Sequence, residues 1–357
     1  MEISITRNPN PPAPPADGNY GFGSTFTPHM FLMEYRDGQW RDPRIEPYHD
    51  LVLDPASKVL HYGQEIFEGL KAYRNPADGS VHLFRPDMNI RRFNRSCERM
   101  CMPPVDEDLF LEAMQRLIDI DRDWVPESPS ALYVRPTMIA TQVGLGVVPS
   151  ESYLFFIIIG PVGSYFAGGI KPLRLKVEET YVRSAPGGTG SAKTGGNYAA
   201  ALLPIKIAKE EGFDQIIWLD ACTRSKVEEM GAMNIMFVYD DRIITAPATD
   251  TILHGVTRDS IGKLCADFGY RWVEEHPDIA QVCADAESGT LKEAFACGTA
   301  AVVTPIGVIH YQGKDHTIGD GQEGPKTRSL REALYALHRG EKGSHPDWVV
   351  EVPRFEG

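Results

Sequence analysis

The residues best placed to do chemistry lie in one loop, Gly187-Gly-Thr-Gly-Ser-Ala-Lys193-Thr-Gly-Gly-Asn-Tyr198. Its single lysine stands between two glycine clusters, directly before an apolar stretch, residues 199–208, expected to be helical. Glycine lets a backbone turn sharply and come close to a ligand. A lysine amine partly screened from water can lose its proton and attack a carbonyl. Further on, Glu228-Glu229-Met-Gly-Ala-Met-Asn234 is a polar cluster that interrupts an otherwise strand-like region. A reactive lysine, a nearby tyrosine and a later carboxylate are what an aldehyde cofactor with a pyridine ring requires. The loop also nearly matches the phosphate-cradling pattern G-x-x-x-x-G-K-[ST] of a nucleotide-binding module. Against that reading, Ala192 replaces the second glycine, and Gly195-Gly196 would break the helix that must begin at the lysine. The preceding strand, residues 173–179, also ends well before the loop. Taken alone, a lysine in such a loop is simply solvated.

The elements that must position these groups can be traced along the chain. Residues 30–35, an Asp37-Gly38 turn and a run from Trp40 form a hairpin. Residues 88–100 make an amphipathic helix with Ile90, Phe93 and Cys97 on one face. Residues 106–121 make a second, with Leu109, Phe110, Ala113, Leu117 and Ile118 as its stripe. Residues 132–140 and 153–159 are expected as buried strands. Residues 161–172, rich in glycine and proline, form the expected linker. It separates a smaller N-terminal domain, residues 1–160, from a larger C-terminal domain, residues 173–357, that carries the lysine. There, strands are expected at 173–179, 215–219, 234–239, 242–245, 296–304 and 308–311. Helices are expected after the lysine loop to residue 211 and at 258–267, 289–293 and 326–339. The fold class is α/β (α+β) in two domains, with the active site in the crevice between them.

With 357 residues, each half can bury its own core. A net charge of −13 leaves no basic excess to neutralise phosphates, which argues against nucleic-acid or anionic-membrane partners. The run Tyr153-Leu-Phe-Phe-Ile-Ile-Ile159 is of strand length, far short of a bilayer span. The start of the chain lacks a signal peptide's hydrophobic core. It carries instead Asn8-Pro-Asn-Pro-Pro-Ala-Pro-Pro15, a lead expected to run extended and pack little. The six cysteines are scattered without a C-x-x-C pair, so they read as reduced thiols in a cytoplasmic protein, with no metal site expected.

Four motifs follow one another through the second half: Ala192-Lys-x-Gly-Gly-Asn-Tyr198, Glu229-x-Gly-x-Met-Asn234, Gly255-Val-Thr-Arg-Asp259 and Cys297-Gly-Thr-Ala300. Leu60-His-Tyr62, Phe67-Glu-Gly69, Leu83-Phe-Arg-Pro86 and Leu132-Tyr-Val-Arg-Pro136 precede them. In this order and spacing they resemble the branched-chain aminotransferases, pyridoxal-phosphate enzymes of fold type IV. The resemblance implies reversible transfer of the amino group of L-leucine, L-isoleucine or L-valine to 2-oxoglutarate, giving the branched-chain 2-oxo acid and L-glutamate. It implies Lys193 as the catalytic residue, holding pyridoxal 5'-phosphate as a Schiff base and moving the proton at the substrate Cα. Glu229 faces the pyridine nitrogen and Tyr198 the phenolic oxygen. The phosphate meets the N–H groups of Val256 and Thr257 at a helix start, the Thr257 and Thr299 hydroxyls, and Arg92. Arg91 is then a surface residue, and Glu228 the solvated member of the acidic pair. For the substrate, the resemblance implies an apolar pocket of Phe22, Phe67, Tyr133 and Tyr165. Arg135 receives the side-chain carboxylate of glutamate, and the Ala300 N–H meets the α-carboxylate. Tyr62, Leu145 and Val147 reach in from a second subunit, which implies a homodimer.

Two positions depart from the family's pattern. Ala232 stands where some members have threonine, and Ala301-Val-Val-Thr304 where some animal members have a redox-sensitive C-x-x-C. The nearest alternatives share fold and cofactor: a D-amino acid transaminase or an aminodeoxychorismate lyase. Tyr62, Leu132-Tyr-Val-Arg135 and Leu145-Gly-Val147 favour the branched-chain reading.

Overall fold

Along Ala131–Ala140, Leu132, Val134 and Met138 are fully buried, while Tyr133, Arg135 and Thr137 between them are half-buried. This alternation builds a two-faced sheet, because successive strand residues point to opposite sides. In the computed structural model, which describes residues 1–15, 18, 20–163, 171–341 and 343–355, that sheet has nine strands. Their order is Ser4–Ile5, Gln39–Pro47, His29–Arg36, Tyr153–Val162, Ala131–Ala140, Leu70–Arg74, Val81–Phe84 and Val349–Glu351, with Glu65–Phe67 also paired to Ala131–Ala140. The expected hairpin is present, Asp37 and Gly38 having φ of 53° and 75°. Helices Pro86–Arg99 and Glu107–Ile120 cover one face, the second capped by Asp106, which accepts a hydrogen bond from the Leu109 N–H. Phe93, Phe110 and Phe155 interlock edge to face in this core. Since Ile66 is buried in it, Glu65 and Phe67 must face the other side, with Tyr133 and Arg135.

The second sheet also has nine strands. Val227–Met230, Gln215–Leu219, Leu173–Glu178, Val302–Tyr311, Glu293–Gly298 and Met233–Val238 follow one another, and the first pairs with the last, so these strands close on themselves. Ile243–Thr245 and Trp272–Glu274 extend the sheet, and Lys314–Thr317 pairs with Val302–Tyr311. The polar cluster at 228–234 is therefore no interruption. Val227–Met230 turns tightly at Gly231-Ala232 into Met233–Val238, with Gly231 at φ 54°.

Contacts divide the chain into two units, Met1–Tyr165 with Ala192–Gly195 and Ala336–Gly357, and Phe166–Ser191 with Gly196–Tyr335. The lysine segment and the C-terminal stretch thus join the first unit, unlike a single cut between residues 160 and 173. The strand Tyr153–Val162 runs into the span expected as linker.

Several elements differ from expectation for physical reasons. The helix expected at 289–293 lies instead at Ile279–Glu287, where Asp278 accepts from the Ala280 and Gln281 N–H groups and Ile279, Val282, Cys283 and Ala286 are buried. Residue 293 begins a strand, and residues 302–311 form one strand rather than two. The helix after the lysine is split into Gly195–Ala199 and Leu202–Glu210, so the two glycines open a helix rather than break one. The proline-rich lead is mostly exposed, but Asn8 N–H donates to His29 Nε2 at 2.8 Å, and Ile3 before it is buried in the first core.

A Cβ built on Gly160 would lie 2.1 Å from the Thr25 carbonyl oxygen, a backbone atom in the segment that bonds the same strand through Thr27 N–H. Gly160→Ala is therefore expected to destabilise the protein by about 1–3 kcal/mol through overpacking, measured as a lower denaturant midpoint.

Candidate active site

The first unit sets the lysine. Its backbone lies along the strand Glu65–Phe67: Phe67 N–H donates to the Lys193 carbonyl at 2.9 Å, and Thr194 Oγ1 to the Glu65 carbonyl at 2.8 Å. The Gly195 N–H bonds Glu65 Oε1, and Lys193 N–H donates to Ser96 Oγ at 3.0 Å. Lys193 Nζ then sits 4.8 Å over the Phe67 ring. Arg135 shares that ring, its guanidinium carbon being 4.7 Å from the Phe67 centroid and 5.3 Å from that of Tyr133. Arg135 Nη2 donates to the Tyr133 hydroxyl at 3.1 Å, and Phe22 packs edge-on to Tyr133 at 5.1 Å. Gly69 is required here, since a Cβ on it would lie 2.0 Å from that hydroxyl. The structure thus gathers Lys193, Phe67, Arg135, Tyr133 and Phe22 on one face. Among the described residues, no carboxylate forms an ion pair with Arg135, and its buried Nε has no hydrogen-bond partner.

Behind this face, Arg92 and Glu68 form a forked pair, with Nε to Oε1 at 2.6 Å and Nη2 to Oε2 at 2.8 Å. Arg92 is 4% and Glu68 0% exposed, so both charges are taken out of water and depend on each other. Asn89 Nδ2 and the Gly69 N–H also donate to Glu68 Oε2. Burial alone would raise the Glu68 carboxyl. The Arg92 charge and hydrogen bonds, then Lys193 and Asn89, outweigh it and hold the group below its ordinary 4.5. Arg92 is therefore tied to Glu68, a partner that the sequence analysis did not assign. Arg91 is exposed on the surface, as expected, near Asp87 and Glu107.

Tyr62, Leu145 and Val147 are exposed, at 41%, 64% and 81%. The Tyr62 hydroxyl donates to the Leu145 carbonyl, and Lys58 Nζ donates to the Val148 carbonyl at 2.8 Å. Tyr165 lies outside the described residues.

In the second unit Glu229, Asn234 and Cys297 stand side by side on adjacent antiparallel strands. Asn234 Nδ2 donates to Glu229 Oε1 at 3.0 Å, the Leu253 N–H to the same oxygen at 3.2 Å, and Arg183 Nε lies 2.5 Å from Oε2. Glu229 is 2% exposed. Asn234 also fixes the neighbouring helix start: a Cβ on Gly255 would lie 2.2 Å from Asn234 Oδ1, so only glycine fits. Gly255 opens the helix Val256–Asp267 with no side-chain cap, leaving Val256 and Thr257 in the first turn. Thr299 and Ala300 follow Cys297 in the turn beyond Gly298. Tyr198 belongs to the short helix Gly195–Ala199, whose Asn197 exchanges hydrogen bonds with Thr189 at 2.8 Å each.

Glu228 corrects an expectation. It is 4% exposed rather than solvated, because it points to the other side of the same strand and accepts from Thr251 Oγ1 at 2.6 Å. Burial pushes its carboxyl up, with the Thr251 bond opposing. Arg183 was likewise missed. A buried arginine far from its carboxylate in sequence gives no local pattern, and only the fold shows Nη1 bound to the Thr251 carbonyl at 2.7 Å beside Glu229.

Residues 65–309 match the Amino-transferase class IV model, and the chain belongs to that family. It is 49% identical over 341 residues to branched-chain-amino-acid transaminase 1 of Bacillus subtilis (strain 168), covering 95% of this chain and 96% of that one. Its fold is similar to the crystal structure of the Escherichia coli branched-chain amino acid aminotransferase, with TM-score 0.75, 27% identity, and 90% and 99% of the two chains covered. The T.th. branched-chain amino acid aminotransferase complexed with N-(5'-phosphopyridoxyl)-L-glutamate is also similar, with TM-score 0.73, 26% identity, and 90% and 98% coverage. Family membership implies pyridoxal phosphate as cofactor. Among the described residues, no helix is long and apolar enough to cross a membrane.

Removing one partner of the Glu68–Arg92 pair leaves a buried charge, so Arg92→Met is expected to cost about 3–5 kcal/mol in denaturant unfolding. Because Glu68 is held below its ordinary 4.5, its contribution is fully present above that value and is lost as pH falls through the lowered one. The parent protein's stability should accordingly fall on acidification below about 4.5, and Glu68→Gln should flatten that part of the curve.

Proposed function

We propose that this chain is a branched-chain amino-acid transaminase, passing the amino group of L-leucine, L-isoleucine or L-valine to 2-oxoglutarate. The observation that carries the reading is the face holding Lys193, Phe67, Tyr133 and Arg135. Aromatic rings there can bury an apolar side chain, worth about 0.8 kcal/mol per CH₂. Arg135, stacked but without an ion pair, can receive the distal carboxylate of glutamate.

By residue type, the assigned donors suit pyridoxal phosphate. Lys193 would hold the aldehyde carbon, Glu229 the pyridine nitrogen and Tyr198 the phenolic oxygen. The Val256 and Thr257 N–H groups, the Thr257 and Thr299 hydroxyls, and Arg92 would hold the phosphate. The fit rests on Glu229, kept within reach of Arg183, Asn234 and the Leu253 N–H, and on the uncapped start at Gly255. When bound, the cofactor supplies an electrophilic carbonyl carbon and an electron-withdrawing ring.

The chain's own groups do the rest. The Lys193 amine moves the proton at the substrate Cα, and its docked backbone keeps that amine over Phe67. Glu229, a buried carboxylate, would face the ring nitrogen and favour its protonated form when the cofactor is bound. Phe22, Phe67 and Tyr133 exclude water from the side-chain pocket, with Tyr165 assigned to it from sequence, and the Ala300 N–H takes the α-carboxylate. Tyr62, Leu145 and Val147, all exposed, with Tyr62 bonded to the Leu145 carbonyl, would complete the pocket of a second copy in a homodimer.

Purified protein should absorb visible light, and L-leucine without keto acid should bleach that band while D-alanine should not. Lys193→Ala should abolish both the band and turnover. If D-alanine alone converts it, the substrate assignment falls. Arg135→Met should raise KM for 2-oxoglutarate at least about tenfold while leaving that for L-leucine within about threefold.

A further inference from the structure

A pocket that must take both a methyl-rich and an acidic side chain has an electrostatic difficulty. With an apolar side chain in place, the receiving arginine faces no counter-charge, and an unpaired half-buried cation is costly. With a dicarboxylate in place, any resident carboxylate nearby repels it. Glu65 occupies the position where this matters. Ile66 is in the core, so Glu65 and Phe67 share the opposite face of their strand. Their partners on Ala131–Ala140 are Ile139 and Thr137, and Arg135 is the next residue of that strand on this face. Arg135 stacks on the Phe67 ring, as does the Lys193 amine. The Glu65 carboxylate is fixed rather than free to swing, because Oε1 accepts the Gly195 N–H beside the lysine. It forms no ion pair with Arg135, so it influences that charge through space.

We propose that Glu65 is a specificity-determining residue: the standing counter-charge of Arg135, which favours apolar side chains and weakens dicarboxylate binding. The proposal rests on the reading of Arg135 as the receiver of the distal carboxylate. In the absence of a dicarboxylate, Glu65 offsets the arginine and lets a leucine-like side chain bind beside it. When a dicarboxylate enters, its distal group must take Arg135 against the field of Glu65. Burial pushes the Glu65 carboxyl up, while the Gly195 N–H, Thr194 and Arg135 oppose the rise. Glutamine at this position keeps an acceptor for the Gly195 N–H and removes only the charge.

The test is binding of two non-reacting probes to the holoenzyme, 4-methylpentanoate and glutarate, by calorimetry. Glu65→Gln should tighten glutarate about tenfold and leave 4-methylpentanoate unchanged or weaker. Glu65→Asp, which keeps the charge, should preserve the parent's preference. Arg135→Met should lose glutarate and keep 4-methylpentanoate. If Arg135→Met loses glutarate but Glu65→Gln shifts both probes equally or neither, the counter-charge role is overturned and the reading of Arg135 stands. If Arg135→Met binds glutarate as the parent does, the reading of Arg135 fails and the proposal fails with it. An unchanged visible band and thermal midpoint in Glu65→Gln will show that the lysine segment is still docked, so that a change in preference reports charge.

Discussion

Everything on the first unit's chemical face depends on four residues, Ala192–Gly195, lying against a strand about 130 positions earlier in the chain. Phe67 N–H, Lys193 N–H and Thr194 Oγ1 each donate a hydrogen bond in this contact. Leaving any of them buried and unpaired would cost about 1–3 kcal/mol. The contact continues inward: Ser96 Oγ accepts from Lys193 and donates to the Arg92 carbonyl, and Arg92 grips Glu68, the residue that follows Phe67 in the chain. A single hydrogen-bonded path thus joins Lys193 to the deeply buried Arg92–Glu68 pair of the unit. The glycines that flank Lys193 allow the chain to enter and leave this docked position.

In the second unit Asn234 plays a comparable organising part. Its amide nitrogen holds the Glu229 carboxylate and the Leu253 carbonyl, and its oxygen lies so close to Gly255 that no side chain fits there. The acid and the helix start are therefore set by one side chain, on a strand whose neighbour carries Cys297 and leads into the turn at Thr299. This is the physical content of the spacing between Glu229, Asn234 and Gly255. A tight Gly231 turn brings the acid and amide opposite each other, and the loop returning from Leu253 to Gly255 must pass the amide.

Much of this was legible in the sequence where periodicity or turn chemistry was strong. The hairpin was expected from Asp37-Gly38, the helices found at 86–99 and 107–120 from apolar stripes over 88–100 and 106–121, and the strands found at 131–140 and 153–162 from buried runs over 132–140 and 153–159. The family motifs drew attention to Lys193, Glu229 and Arg92, whose proposed roles rest on the resemblance. What local pattern could not show were partners distant in the chain. Nothing near Glu228 says that Thr251 will cover it, and nothing near Arg183 says that Glu229 lies beside it. The helix at 279–287 was misplaced although Asp278 and the Ile279, Val282, Cys283, Ala286 spacing carried its signal. The glycine at 289, whose φ is 72°, ends that segment rather than opening a new helix.

Three arginines show how placement decides role. Arg92 and Arg183 are buried, and each is bound by a buried carboxylate, so Arg92 holds Glu68 in place and Arg183 holds Glu229. Such pairs give little net stability, but removing one member exposes the full cost of burying the other. Arg135 is only half-buried, and its charge is met by the faces of Phe67 and Tyr133 rather than by an ion pair. Stacking fixes the plane of its guanidinium without saturating its donors. A cation held that way stays receptive to a carboxylate yet tolerates an apolar neighbour, because the rings that stack on it are themselves apolar surface. The difference between an arginine that anchors a buried acid and one left open on aromatic faces lies in what surrounds the same side chain.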